Sequence, residues 1–124
     1  MVAARETDSP EAVVEGYEGL LGYTQRMLHA AREGDWPALI EQEHDYVQAV
    51  EAIARLDAGQ VLSEAQRQRK AELLEVILEN DLEIRQRLIQ RRDELSALIG
   101  NARRQRDVER AYGAHDPAPP GPTT

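Results

Sequence analysis

The sequence specifies an all-α fold: an antiparallel three-helix bundle with a long third helix and a short C-terminal fourth helix folded back. Three observations lead there. Apolar residues recur at spacings of three and four along most of the chain, capping signatures precede each periodic run, and glycine-centred breaks separate the runs. With 124 residues there is room for one core, so a single helical domain is expected over residues 10–113. It is flanked by a disordered N-terminal segment, 1–9, and a disordered Pro-rich tail, 114–124.

Ser9-Pro10-Glu11 starts the first helix, with Ser as N-cap, Pro at the first helical position and an acid where the helix dipole favours it. Its apolar stripe is Val13, Tyr17, Leu20, Leu21, Thr24, Met27, Leu28 and Ala31, and Gly34 ends it as a C-cap residue. Asp35 caps the second helix at once. That stripe is Trp36, Leu39, Ile40, Tyr46, Val47, Val50, Ile53 and Ala54, and it stops before the turn cluster Asp57-Ala58-Gly59. Ser63-Glu64-Ala65-Gln66 is a capping box for the third helix, which nothing interrupts before Ile99. Gly100-Asn101 is expected to end it. Ala102 to Tyr112 then form the short fourth helix, with Val108, Ala111 and Tyr112 as its apolar contacts and Gly113 as its close.

Short connections make sequential helices antiparallel. At about 1.5 Å per residue the third helix is about 55 Å long against about 30 to 37 Å for the first two, so its C-terminal third is left uncovered. Leu88, Ile89, Leu95, Leu98 and Ile99 therefore need a cover, either the folded-back fourth helix or a partner. Each forfeits about 1.5 to 3 kcal/mol of burial if left in water.

Composition narrows the chemistry. Cysteine is absent, which excludes a disulfide scaffold, a zinc-thiolate site and a thiol nucleophile. There is no Phe and a single Trp, so base stacking has little to work with. The net charge of −8 repels phosphate backbones, and no direct nucleic-acid contact is expected. The acidic excess lies in the first half: 12 acids against 4 bases through Gln60, then 11 against 11. Arg85, Arg87, Arg91, Arg92, Arg103, Arg104 and Arg106 form a local exception that neighbouring acids can neutralise. Without an apolar leader or a stretch long enough to span a bilayer, the expected location is the cytoplasm.

No catalytic set emerges, and the expectation is a protein that is not an enzyme and uses no cofactor or metal. Glu41-x-x-His44 has the spacing of a di-iron ligand pair but lacks a second copy, so a solvated helix face is the plainer reading. His29 and His115 stand alone. Gly16, Gly19 and Gly22 lack the Lys-Ser/Thr of a phosphate loop; their three-residue spacing places small residues on one strip of the first helix, for a close helix approach or merely as tolerated surface glycine.

Two stretches carry a resemblance. Glu33-Gly34-Asp35-Trp36-Pro37-Ala38-Leu39-Ile40 continues through Glu43-His44-Asp45-Tyr46-Val47-Gln48-Ala49-Val50 to Ile53-Ala54-Arg55-Leu56. Leu74-Glu75-Val76-Ile77-Leu78-Glu79-Asn80 is followed by Arg91-Arg92-Asp93-Glu94-Leu95-Ser96-Ala97-Leu98-Ile99-Gly100 and, near the end, Ala111-Tyr112-Gly113. From about Tyr23 to Gly113 the chain resembles the FliT family of flagellar type III export chaperones. The resemblance implies a cytosolic chaperone that holds the filament-cap protein FliD, meets export ATPase components and restrains the flagellar master regulator by binding its protein subunits. It also implies that the C-terminal helix, through Val108 and Tyr112, masks the binding surface. Partner contacts are then expected at Ile84, Leu88, Arg91, Leu95 and Leu98, in a groove between the second and third helices that takes an amphipathic helix. The rival reading is a structural or regulatory bundle that forms a homodimer through the same face.

Overall fold

Each helix begins for local chemical reasons. The Ser9 hydroxyl accepts from the Ala12 N–H at 3.1 Å, and Pro10 occupies the first turn, where no amide hydrogen is needed. In the computed structural model, which describes residues 8–115, this starts α1 at Pro10–Glu33. Gly34 takes the left-handed conformation, φ 72°, and its N–H reaches back to the Ala30 and Ala31 carbonyls. Asp35 then caps α2, Trp36–Ala58, its carboxylate accepting from the Ala38 N–H at 3.3 Å. At the third start the capping box closes in both directions: Gln66 N–H to the Ser63 hydroxyl at 3.1 Å, and Ser63 N–H to the Gln66 side-chain oxygen at 2.8 Å. It opens α3, Glu64–His115.

The chain divides after Leu88 into two compact units. In the first, Leu39 near the start of α2 packs with Met27, Leu28, Ala30 and Ala31 near the end of α1, together with Ile84 of α3. A second cluster joins Val13, Tyr17 and Leu20 of α1 to Leu73 and Ile77 of α3, with Ile53 and Leu56 of α2 against it. The half-buried Tyr46 packs on both clusters. Since the start of α2 meets the end of α1 and its end meets the start of α1, the chain reverses at Gly34. α3 follows α1 in the same sense: Asn80 donates to the fully buried Thr24 hydroxyl at 3.2 Å, and Glu83 takes two hydrogen bonds, at 2.7 and 2.8 Å, from Arg32. A Cβ built on Gly16 would collide with the Ile53 side chain, whereas one on Gly19 would meet nothing, so the glycine strip serves a close approach at one position only.

A polar network holds the junction of α2 and α3. Tyr17 donates its hydroxyl to Asp57 at 2.8 Å, and the Lys70 ammonium meets the same oxygen at 2.5 Å. Burial, reinforced by the bond to Asp57, pushes the Tyr17 phenol up to about 12. Burial alone would raise the Asp57 carboxyl, but its bonds to Lys70 and Tyr17 prevail and hold it below the ordinary value.

Two sequence expectations need correction. α3 does not stop at Gly100-Asn101: it runs as one helix through Gly100 and Gly113 to His115, so there is no separate fourth helix and none folded back among the described residues. A glycine inside a helix costs about 1 kcal/mol relative to alanine. No left-handed cap forms at either glycine, and good helix formers such as Leu98, Ala102, Arg103 and Gln105 flank Gly100, which lets the helix continue. Residues 114 and 115, expected in the tail, are helical. The disorder expected for residues 1–7 and 116–124 falls outside the described residues.

In α2 the expected single stripe splits. Leu39 is buried and Trp36, Tyr46 and Ile53 are half-buried, but Ile40 is 69% exposed, Val47 44% and Val50 36%. With two neighbouring helices to cover it, α2 buries a narrower face than its apolar residues span.

Candidate functional site

Two of the apolar residues that α2 leaves uncovered, Val47 and Val50, stand in one wall of a cleft. Tyr46, Val47 and Val50 stand on the α2 side and Ile84 and Leu88 on the α3 side, around a volume of about 600 Å³. Ile84 is 1% exposed and forms the floor; Leu88 is 41% exposed and forms the opposite wall. Helical spacing explains the difference: Ile84 points into the core cluster with Leu39 and Met27, and one turn later Leu88 is the last residue of the first unit.

The rim is charged. Glu43 and Glu51 from α2 and Asp81 from α3 border the cleft, with Arg85 paired to Asp81 at 2.8 Å. Glu43 and Glu51 make no ion pair among the described residues, so two carboxylates are left to face whatever enters. Burial, then the charges of Asp81 and Glu43, push the Tyr46 phenol up from its ordinary value. An apolar trough with a neutral hydroxyl in its wall and uncompensated carboxylates on its rim suits the apolar face of a helix whose flanks are basic.

A second cleft, about 520 Å³ between α1 and α2, is bordered by Arg26, His29, Glu33, Asp35 and Gln42. Its only wholly apolar side chains are those of Ala30 and Ala38, so it offers no large apolar wall to an incoming side chain. His44 is exposed, its ring in contact with the Gln48 amide at 3.1 Å on the outside of α2. No group of three or more His, Asp or Glu side chains among the described residues is arranged to hold a metal ion.

Of the residues expected to contact a partner, the structure brings Ile84 and Leu88 together in the cleft. Arg91, Leu95 and Leu98 belong to the second unit, where Arg91 is half-buried and pairs with Glu94 at 3.7 Å, and Leu95 and Leu98 are 42% and 60% exposed. Val108 and Tyr112, expected on a masking helix, lie on α3 itself, 52% and 74% exposed. The groove was expected between the second and third helices, but every residue named for it lay on the third; Val47 and Val50 of α2 were not among them. The signal for them was available: Val47 and Val50 are surplus to the Leu39, Tyr46, Ile53 row that a core-facing α2 requires.

Fold and cleft together define the class, a small all-helical bundle with an apolar cleft rimmed by acids. The chain belongs to the flagellar protein FliT family, whose model matches residues 14–114. The FliT proteins of Pectobacterium carotovorum subsp. carotovorum (strain PC1) and of Yersinia enterocolitica are 33% and 36% identical to it over 104 and 97 residues. These alignments cover 84% and 78% of this chain and 82% and 81% of the relatives. The crystal structure of flagellar protein FliT from Bordetella bronchiseptica superposes with a TM-score of 0.64 at 37% identity, covering 69% of this chain and 97% of that one. A flagellar role and an all-helical fold follow. No described helix is long and apolar enough to cross a membrane.

Proposed function

We propose that the protein is a cytoplasmic export chaperone of the flagellum that binds an amphipathic helix of the filament-cap protein FliD in the cleft between α2 and α3. Membership in the FliT family supplies the context. The observation that carries the reading is the cleft itself, where exposed Val47, Val50 and Leu88 face one another over the buried Ile84 beneath unpaired Glu43 and Glu51. Covering those side chains with a client helix removes them from water at about 25 cal/mol per Å² of apolar surface. The carboxylates select a helix with basic flanks over an acidic one. Export ATPase components and the protein subunits of the flagellar master regulator are further partners on this reading, and neither catalysis nor a cofactor is involved.

Purified chain mixed with FliD from the same organism, followed by size-exclusion chromatography with light scattering, tests this. A complex whose mass equals the sum of the partners is expected. Two unshifted peaks, or a chain that elutes as a dimer and ignores FliD, would leave the homodimeric bundle as the better description.

A further inference from the structure

The second unit carries a charged surface that the cleft does not use. Six of its residues between Ile89 and His115 are arginines, against four carboxylates, in a chain whose net charge is −8. Helical spacing sorts them. At about 100° per residue, Arg92, Ile99, Arg103, Arg106 and Arg110 fall within about 60° of arc, one strip along the helix, while Asp93, Glu94, Asp107 and Glu109 fall outside it. Every member of the strip is exposed.

The strip is not neutralised from within. Arg92 reaches Asp93 at 3.5 Å, a pair in which both side chains are more than two-thirds exposed (73% and 67%) and which adds little. Arg103, Arg106 and Arg110 form no ion pair among the described residues. They sit at i, i+3 and i+7, so neighbouring like charges work against the helix that carries them. Ile99 lies in the middle of the strip at 53% exposure, and Leu95 borders it at 42%.

We infer that this strip is a second docking surface, separate from the α2–α3 cleft, for an acidic amphipathic helix of another protein. Charge complementarity sets the sign of the partner. Ile99 and Leu95 set its kind: a helix presents apolar and acidic side chains at one spacing and satisfies both halves of the strip, whereas a phosphate backbone satisfies only the arginines.

The test uses the full-length chain and a fluorescein-labelled helical peptide with Glu in one row at the spacing of the arginines and Leu beside that row. Its comparator has the same composition with Glu scattered around the helix. Anisotropy is expected to show the patterned peptide binding at least about tenfold more tightly than the scattered one. Arg103→Gln/Arg106→Gln/Arg110→Gln, with helicity checked by circular dichroism, should remove most of that affinity, and Val47→Asp in the cleft should leave it unchanged. Duplex DNA and phosphatidylserine vesicles, run alongside, are expected to bind no better than the scattered peptide. Preference for either of them would make the strip a nucleic-acid or membrane surface and overturn the proposal. Equal affinity for the two peptides would reduce the strip to unspecific charge. Loss of patterned-peptide binding in Val47→Asp would move the site to the cleft.

Discussion

Ile84 and Leu88 stand one turn apart on α3, and their environments give opposite consequences for the same substitution. Ile84, 1% exposed in contact with the core cluster, leaves a cavity when cut to Ala, and such changes cost about 2 to 5 kcal/mol. A domain of this size has about 5 to 15 kcal/mol in all, so Ile84→Ala should remove a large part of it. Leu88 is 41% exposed, so its truncation vacates space that water already shares and should cost about 1 kcal/mol or less. In binding the order reverses. Leu88→Asp places a charge in the wall of the cleft, tolerable in water but not beneath a client helix, and should weaken FliD binding by about a hundredfold or more, about 2.7 kcal/mol. Urea unfolding followed by circular dichroism measures the first effect, and titration calorimetry the second. Should Leu88→Asp unfold the protein while Ile84→Ala leaves its urea midpoint unchanged, the assignment of floor and wall would be wrong.

Three further outcomes follow from the same structure. Gly19→Ala should stabilise α1 by about 1 kcal/mol, while Gly16→Ala forfeits that gain against Ile53; a difference of about 1 to 3 kcal/mol between the two in urea midpoints is expected, and identical midpoints would refute the close approach. Arg32, then Arg87, hold the Glu83 carboxyl down at about 2, below its unfolded value of 4.5, so its contribution is present above about pH 4.5 and lost as pH falls toward 2. The raised Tyr17 phenol acts oppositely, its contribution being complete below pH 10 and lost as pH rises toward about 12. Glu83→Gln should flatten the acid limb of a stability-versus-pH curve, and Tyr17→Phe the alkaline limb. Ending the chain after Gly100 removes Val108 and Tyr112, which are exposed, so FliD affinity should change by less than about threefold; a gain of about tenfold, about 1.4 kcal/mol, would show that these residues reach the cleft in solution.

What the sequence made legible was whatever is decided within a turn or two of chain. Ser9, Gly34, Asp35 and the Ser63–Gln66 box each satisfy backbone groups with their own neighbours, and all act where the spacing placed them. The apolar stripe of α1 was equally plain, because α1 faces both other helices and buries nearly all of that stripe. Gly100 was misleading for the reason Gly34 was not: a left-handed cap at Gly34 is followed at once by Asp35 starting α2, whereas Gly100 has helix formers around it and Asn101 behind it stays helical, its side chain accepting from Arg104 instead of capping a new start. The cleft was half legible. Leu88 could be found from the length of the third helix, but the share of Val47 and Val50 depends on how much of α2 its two neighbours leave bare, which is settled by packing rather than by period.

The central claim, that the cleft between α2 and α3 is where a client helix binds, is tested most directly by titrating FliD into the full-length chain and into Val50→Asp. Val50 is 36% exposed in the cleft wall and lies outside both core clusters. Saturable binding by the full-length chain, and a loss of at least about tenfold in the variant with its helicity intact, is the expected result. Unchanged affinity in Val50→Asp would place the client elsewhere on the molecule.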